Sequence, residues 1–257
     1  MSILIKFFRK IRQPLIKENR FSKYMLYAIG EIILVVIGIL IALSINTWNE
    51  KEKNEKEARF QLSKLKDNLK SDKVNLKEAI ASDSVSIENL VYCVDVLSNK
   101  IISTKERFIY HFQDIYNTNS FNPGRGAFEG LISSGKIELI SDQELLDALF
   151  SYYNSEDHKS WDSAITDYSR NTIAPYLLNF DHVPNIRDEE GIAFKKFNSN
   201  DFSVPAKTIK DYKDNLFIIN ALRFKIQLFE GQKIHYKDLQ KEINILIHKI
   251  DQLTQIE

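Results

Sequence analysis

Residues 24–48 read YMLYAIGEIILVVIGILIALSINTW, and between Met25 and Ile45 the run is apolar except for Glu31 and Ser44. As a helix rising about 1.5 Å per residue, those 21 residues cover about 31 Å, the thickness of a bilayer hydrocarbon core. Tyr24, Tyr27 and Trp48 stand where amphipathic rings favour the headgroup level, with Lys23 and Asn49 closing the ends. The stretch predicts an all-α protein, an N-terminal transmembrane helix continuing into an elongated antiparallel helical bundle. Its division is a basic segment over 1–23, a span over 24–48 and a helical domain over 49–257.

Glu31 is the one acid within the span. An ionised carboxylate at the bilayer centre costs about 2.5 to 3.5 kcal/mol on insertion scales, and less near the edge. Glu31 lies about 9 Å inside the Met25 end. Helical spacing puts Gly38 and Ala42 on nearly the same face, a small-residue pair of the kind that lets two helices approach closely. Two readings stay open. Glu31, Gly38 and Ala42 form an association face, with a second copy of the chain or another membrane protein as partner. Alternatively Glu31 reaches towards the headgroups and Gly38 reflects the ordinary glycine content of membrane helices.

Upstream, Leu4, Phe7, Phe8, Ile11 and Leu15 alternate with Lys6, Arg9, Lys10 and Arg12 at near-helical spacing. Those four cations, with Tyr24 and Trp48, are the expected lipid-interface residues, the segment lying on anionic lipid or serving only to set topology. Seven Lys or Arg residues precede the span, which argues for a cytoplasmic N-terminus in a bacterial inner membrane and a periplasmic body. The contrast is imperfect, because Lys51, Lys53, Lys56 and Arg59 follow closely. Ala42-Leu43-Ser44 loosely fits a cleavage site, but the apolar run is longer than a signal-peptide core and is anchored at both ends.

Downstream, Ala58, Leu62, Leu65, Leu69, Leu76, Ile80, Ile87, Val91 and Val94 recur at threes, fours and sevens, a helical stripe that carries the span's helix on to about Leu97. A second helix is expected over 101–116, followed by the turn NTNSFNPGRG (117–126) and a short helix in AFEGLISSG. Ser141 with Glu144 reads as a capping box opening a helix at Asp142, and another helix fits 159–178 with Pro175 as a kink or late break. Residues 180–205 are expected to form a long loop. The stripe Leu216, Ile219, Leu222, Ile226, Phe229, Leu239, Ile243, Leu246, Ile250 and Leu253 then predicts one long helix from Lys207 to about Gln255, divided at Gly231 and antiparallel to the first.

Three of these stretches together resemble a known family: FFRKIRQ (7–13), ENRFSKYMLYAIGEIILVVIGILIALSINTWNE (18–50) and LISSGKIELISDQELLDALFSYYN (131–154). The family comprises single-span bacterial membrane proteins known only as a domain of unknown function. The resemblance implies an N-terminal anchor and a mostly helical domain, and it carries over no activity and no catalytic residue. Glu31, within AIGEIIL, and SSGKIELI (133–140) look like parts of the family pattern.

Composition narrows the function classes. Lys plus Arg and Asp plus Glu both number 35, so no net field points to nucleic acid. Eight glycines and five prolines are few for this length and favour long helices. Cys93 is the single cysteine, which excludes an intrachain disulfide and suits packing better than reactivity. The five histidines are scattered without an HExxH, and no GxSxG, P-loop or GxGxxG occurs. Gly124-Arg125-Gly126 reads as turn residues. Tyr152, Tyr153 and Trp161 fill a core or line a pocket between helices. The expectation is a protein without catalytic activity, cofactor or metal that works through protein contacts as a scaffold, assembly factor or sensor input. The alternative is an ion-driven stator or transporter accessory subunit using Glu31.

Overall fold

The computed structural model of the protein describes residues 21–155, 157–185 and 196–255. The basic segment containing Lys6, Arg9, Lys10 and Arg12 lies outside the described residues, as does the middle of the expected 180–205 loop. All regular structure among the described residues is helical.

The first helix, α1, runs Phe21–Leu97. Neither glycine nor proline occurs between Gly38 and Pro123, so nothing in that sequence breaks the hydrogen-bond ladder. Asn99 ends the helix in the left-handed region (φ 62°). The Lys100 N–H then donates to Asp95 O (2.9 Å) and the Asn99 N–H to Val96 O (3.1 Å), which satisfies the last carbonyls.

The chain divides into two compact units, Met1–Ala58 and Arg59–Glu257. In the first, the described residues are the opening part of α1. Its apolar side chains are bare: Leu26 is 75% exposed, Ile45 60% and Trp48 65%. The hydroxyls of Ser44 and Thr47 donate back to Leu40 O (2.8 Å) and Leu43 O (3.0 Å), leaving the helix no unpaired hydroxyl proton at its polar end.

Among the described residues, the second unit holds the remainder of α1 and seven further α-helices: α2 (Lys105–Phe112), α3 (Gly126–Ser133), α4 (Gln143–Asn154), α5 (Asp157–Asp167), α6 (Ala174–Leu178), α7 (Ile209–Lys213) and α8 (Leu216–Gln255). The α1–α8 pair is antiparallel as expected. Lys66 pairs with Asp251, while Lys73, seven residues on, donates to Asn244 (2.7 Å), seven residues back. Burial divides into two apolar clusters. One joins Leu62, Leu65, Leu69 and Leu76 to Leu145, Leu149, Tyr236, Ile243 and Ile250. The other joins Ile87, Leu90, Cys93 and Val96 to Phe108, Phe112, Ile165, Leu222 and Phe229.

Several boundaries differ from the periodicity reading, each for a local reason. Helix α4 is capped by Asp142, whose carboxylate accepts from Leu145 N–H (2.7 Å), and not by Ser141. The 159–178 helix widens into a π-turn over Tyr168–Ile173 just ahead of Pro175, where the missing N–H and the ring disturb the regular ladder. Gly231 does not divide the last helix. The break comes earlier, where the Thr208–Asp211 capping box opens α7 and Asn215 Oδ1 accepts from Ile218 N–H (3.2 Å) at the start of α8. Val91 and Leu216 fit the stripes by spacing but face outward, being 40% and 70% exposed.

Candidate functional site

Three places can be built from their residues upward. The first is the face of α1 that carries Glu31, Gly38 and Ala42. All three are exposed, and a Cβ added at Gly38 would meet nothing within 4 Å. All three stand on the bare opening part of α1. Of the expected interface aromatics, Trp48 is exposed within the same bare stretch.

The second place is the turn over 117–125, and periodicity missed what holds it. Four aspartates, each at most 8% exposed, point at it: Asp72, Asp83, Asp114 and Asp162. Asp72 accepts from Gly124 N–H (2.8 Å) and from the Tyr152 hydroxyl (2.9 Å), while Asn68 donates to Gly124 O (3.0 Å). A Cβ at Gly124 would stand 3.2 Å from Asp72 Oδ1, so glycine lets the backbone come this close. Asp114 accepts from Asn117 (2.7 Å) and from Asn89. Asp83 accepts from Asn119 Nδ2 (2.8 Å). Asp162 accepts from Phe121 N–H (3.0 Å), Gln232 Nε2 (2.6 Å) and the Tyr236 hydroxyl (2.7 Å), and Gln232 Nε2 also reaches Asn119 O (3.0 Å).

These bonds tie α1, the turn, α5 and α8 together between the two apolar clusters. Burial, with Asp72 or Asp162 alongside, pushes the Tyr152 and Tyr236 hydroxyls up, so both stay protonated donors. Burial also pushes the Asp83 carboxyl up to about 6. The sequence signal was present: Asp72 and Asp83 occupy stripe positions among Leu69, Leu76 and Ile87, where an acid on an apolar face demands a partner. Of the two readings of the aromatics, core filling holds for Tyr152 and Tyr153, which are buried in the first apolar cluster, while Trp161 lies against Gly231.

Nearby, Lys225 is fully buried, donates to Ser169 Oγ inside the π-turn and sits 4.9 Å from the Phe229 ring centre. Burial pulls its ammonium down to about 7. Cys93 is buried against Phe108 O (3.8 Å), and burial raises its thiol, the behaviour of a packing residue.

The third place is an open groove of about 1130 Å³ between α2 and the segment after α6, lined among others by Lys105, Tyr110, Asp181, His182, Phe197 and Phe202. Lys105 and Asp181 are paired at 3.3 Å. Burial raises Asp181, but hydrogen bonds from Lys207 N–H, Tyr212 and His182 N–H, with the Lys105 charge, outweigh it and hold the carboxylate below its usual range. Among the described residues no three His, Cys, Asp or Glu side chains converge as metal ligands.

The chain belongs to a family of unknown function (DUF6090), whose family model matches residues 31–164. The matched segment holds Glu31, all four turn-facing aspartates and the turn itself. No curated protein and no solved structure matches the chain.

Proposed function

We propose that this member of a family of unknown function is a single-pass protein of the bacterial inner membrane, with its N-terminus in the cytoplasm and its helical body in the periplasm. It acts through protein contacts, as a scaffold, assembly factor or sensor input, and not by catalysis. The observation that carries the reading is the bare apolar stretch of α1: the one described helix long and apolar enough to cross a membrane has none of that window buried inside the protein. Soluble proteins rarely leave a contiguous apolar patch of more than a few hundred Å² in water, and a lipid bilayer is the solvent that removes the cost. The partner contact is assigned to the Glu31, Gly38 and Ala42 face, with a second copy of the chain as first partner.

Three experiments test this. Membranes carrying the full chain are washed with alkaline carbonate, and retention in the pellet is expected; release into the supernatant would sink the anchor. Protease added from the periplasmic side should digest the body beyond Asn49, and digestion only after cytoplasmic exposure would reverse the topology. Glu31→Gln separates the partner reading from ion coupling: loss of self-association alone fits the first, and loss of an ion-dependent phenotype with association intact fits the second.

A further inference from the structure

Two buried acceptor oxygens in the seam between the apolar clusters receive no hydrogen bond from any described residue: Asp83 Oδ2 and Gln232 Oε1. Both side chains are 0% exposed. Both are also bonded to Asn119, from opposite ends of that residue: Asn119 Nδ2 donates to Asp83 Oδ1, and Gln232 Nε2 donates to Asn119 O. Each orphaned acceptor is a buried oxygen that lacks a donor, and a carboxyl that keeps its proton supplies one of its own.

We infer that Asp83 is a proton-binding site: in mildly acidic solution the folded protein holds it as the neutral acid, its proton completes the clasp on the 117–125 turn, and the clasp loosens when that proton leaves towards neutral pH. A hydrogen on Asp83 Oδ2 converts one of the orphaned acceptors into a donor and removes a buried negative charge next to a second one. The neighbouring groups decide which acid takes the proton. Asp162, facing from α5, receives three donors, the Phe121 N–H, Gln232 Nε2 and the Tyr236 hydroxyl, an arrangement that suits a carboxylate. Asp83 receives one. From α8, Tyr236 is a neutral hydroxyl already committed to Asp162, and Lys233, the one cation acting on Asp83, is held 3.3 Å from Glu230. The turn contributes only the uncharged Asn119.

The physical causes agree with this geometry. Burial is the largest influence raising the Asp83 carboxyl to about 6; the Asn119 hydrogen bond lowers it, the Asp162 charge raises it and the Lys233 charge lowers it. The folded-state value stands above the ordinary 3.8, so the folded unit binds the proton more tightly than the unfolded chain. The stabilisation is complete below the ordinary value and is lost as pH rises through about 6.

The test uses the full chain in lipid vesicles with Trp48→Phe, which leaves Trp161, next to Asp162 in sequence, as the single tryptophan. Trp161 fluorescence follows denaturant unfolding of the parent and of Asp83→Asn at about pH 5 and about pH 7; Lys225 is common to both proteins, so its own titration cancels in the comparison. Asparagine supplies permanently the N–H donor that protonated Asp83 supplies conditionally. The ratio of folded to unfolded protein in Asp83→Asn relative to the parent should rise about tenfold from the lower to the higher pH. A ratio that is the same at both pH values overturns the inference, as does an Asp83→Asn protein less stable than the parent at about pH 7. Should the variant fail to accumulate, infrared spectra of the parent decide. A protonated-carboxyl band that titrates near pH 6 supports the site, and its absence overturns it.

Discussion

Trp161 lies against the bare backbone of Gly231: a Cβ at position 231 would come to 2.3 Å from two of its ring carbons. Gly231→Ala therefore forces the α5–α8 contact apart. Alanine favours the helix by about 1 kcal/mol, but overpacking of this kind costs about 1–3 kcal/mol. The substitution should lower the denaturation midpoint and red-shift Trp161 emission. An unchanged midpoint would mean that the ring moves aside freely.

Tyr152→Phe takes one donor from Asp72 while keeping the ring in the apolar cluster. Losing a buried hydrogen bond to a charged acceptor costs about 1.5–3 kcal/mol. Because Asp72 also holds Gly124 N–H, the 117–125 turn should lose amide-exchange protection before the α1–α8 pair does. Uniform loss across the unit would show that Tyr152 acts as core filling only.

Lys225 reports in the opposite sense to Asp83. Its folded-state value, about 7, lies below the ordinary 10.5, so the unfolded chain binds the proton more tightly and stability should rise with pH between those values. Lys225→Met keeps the volume and removes the buried ammonium. It should raise stability near neutral pH, by about 1–4 kcal/mol if it behaves like other buried ions replaced by apolar groups, and flatten the alkaline slope. A destabilised Lys225→Met would instead point to a need for the Ser169 bond that crosses the π-turn.

On the α1 face, Gly38→Leu fills the place where a second helix would approach. It should reduce energy transfer between labelled copies in vesicles several-fold without changing carbonate resistance. Equal transfer in the two proteins would move the contact to another side of the helix.

The sequence by itself determined the helical class, the apolar run of Met25–Ile45, the end of α1 near Leu97 and the antiparallel pairing of the two long helices. Each follows from information carried within one element. A period of three to four, the scarcity of glycine and proline, and an uninterrupted apolar run all act through the local backbone and the solvent each face must meet. The tertiary structure alone decided the role of Asp72, Asp83 and Asp162, the outward turn of Val91 and Leu216, and the reason for Gly231. Those depend on which side chain arrives from another part of the chain. An aspartate on an apolar stripe announces only that it needs donors; that the donors are Asn119, the Phe121 N–H, Gln232, Tyr152 and Tyr236 is settled when packing brings distant segments within hydrogen-bond reach. Gly231 looked like a helix break because glycine weakens helices, yet here the absence of a side chain is the space that Trp161 fills.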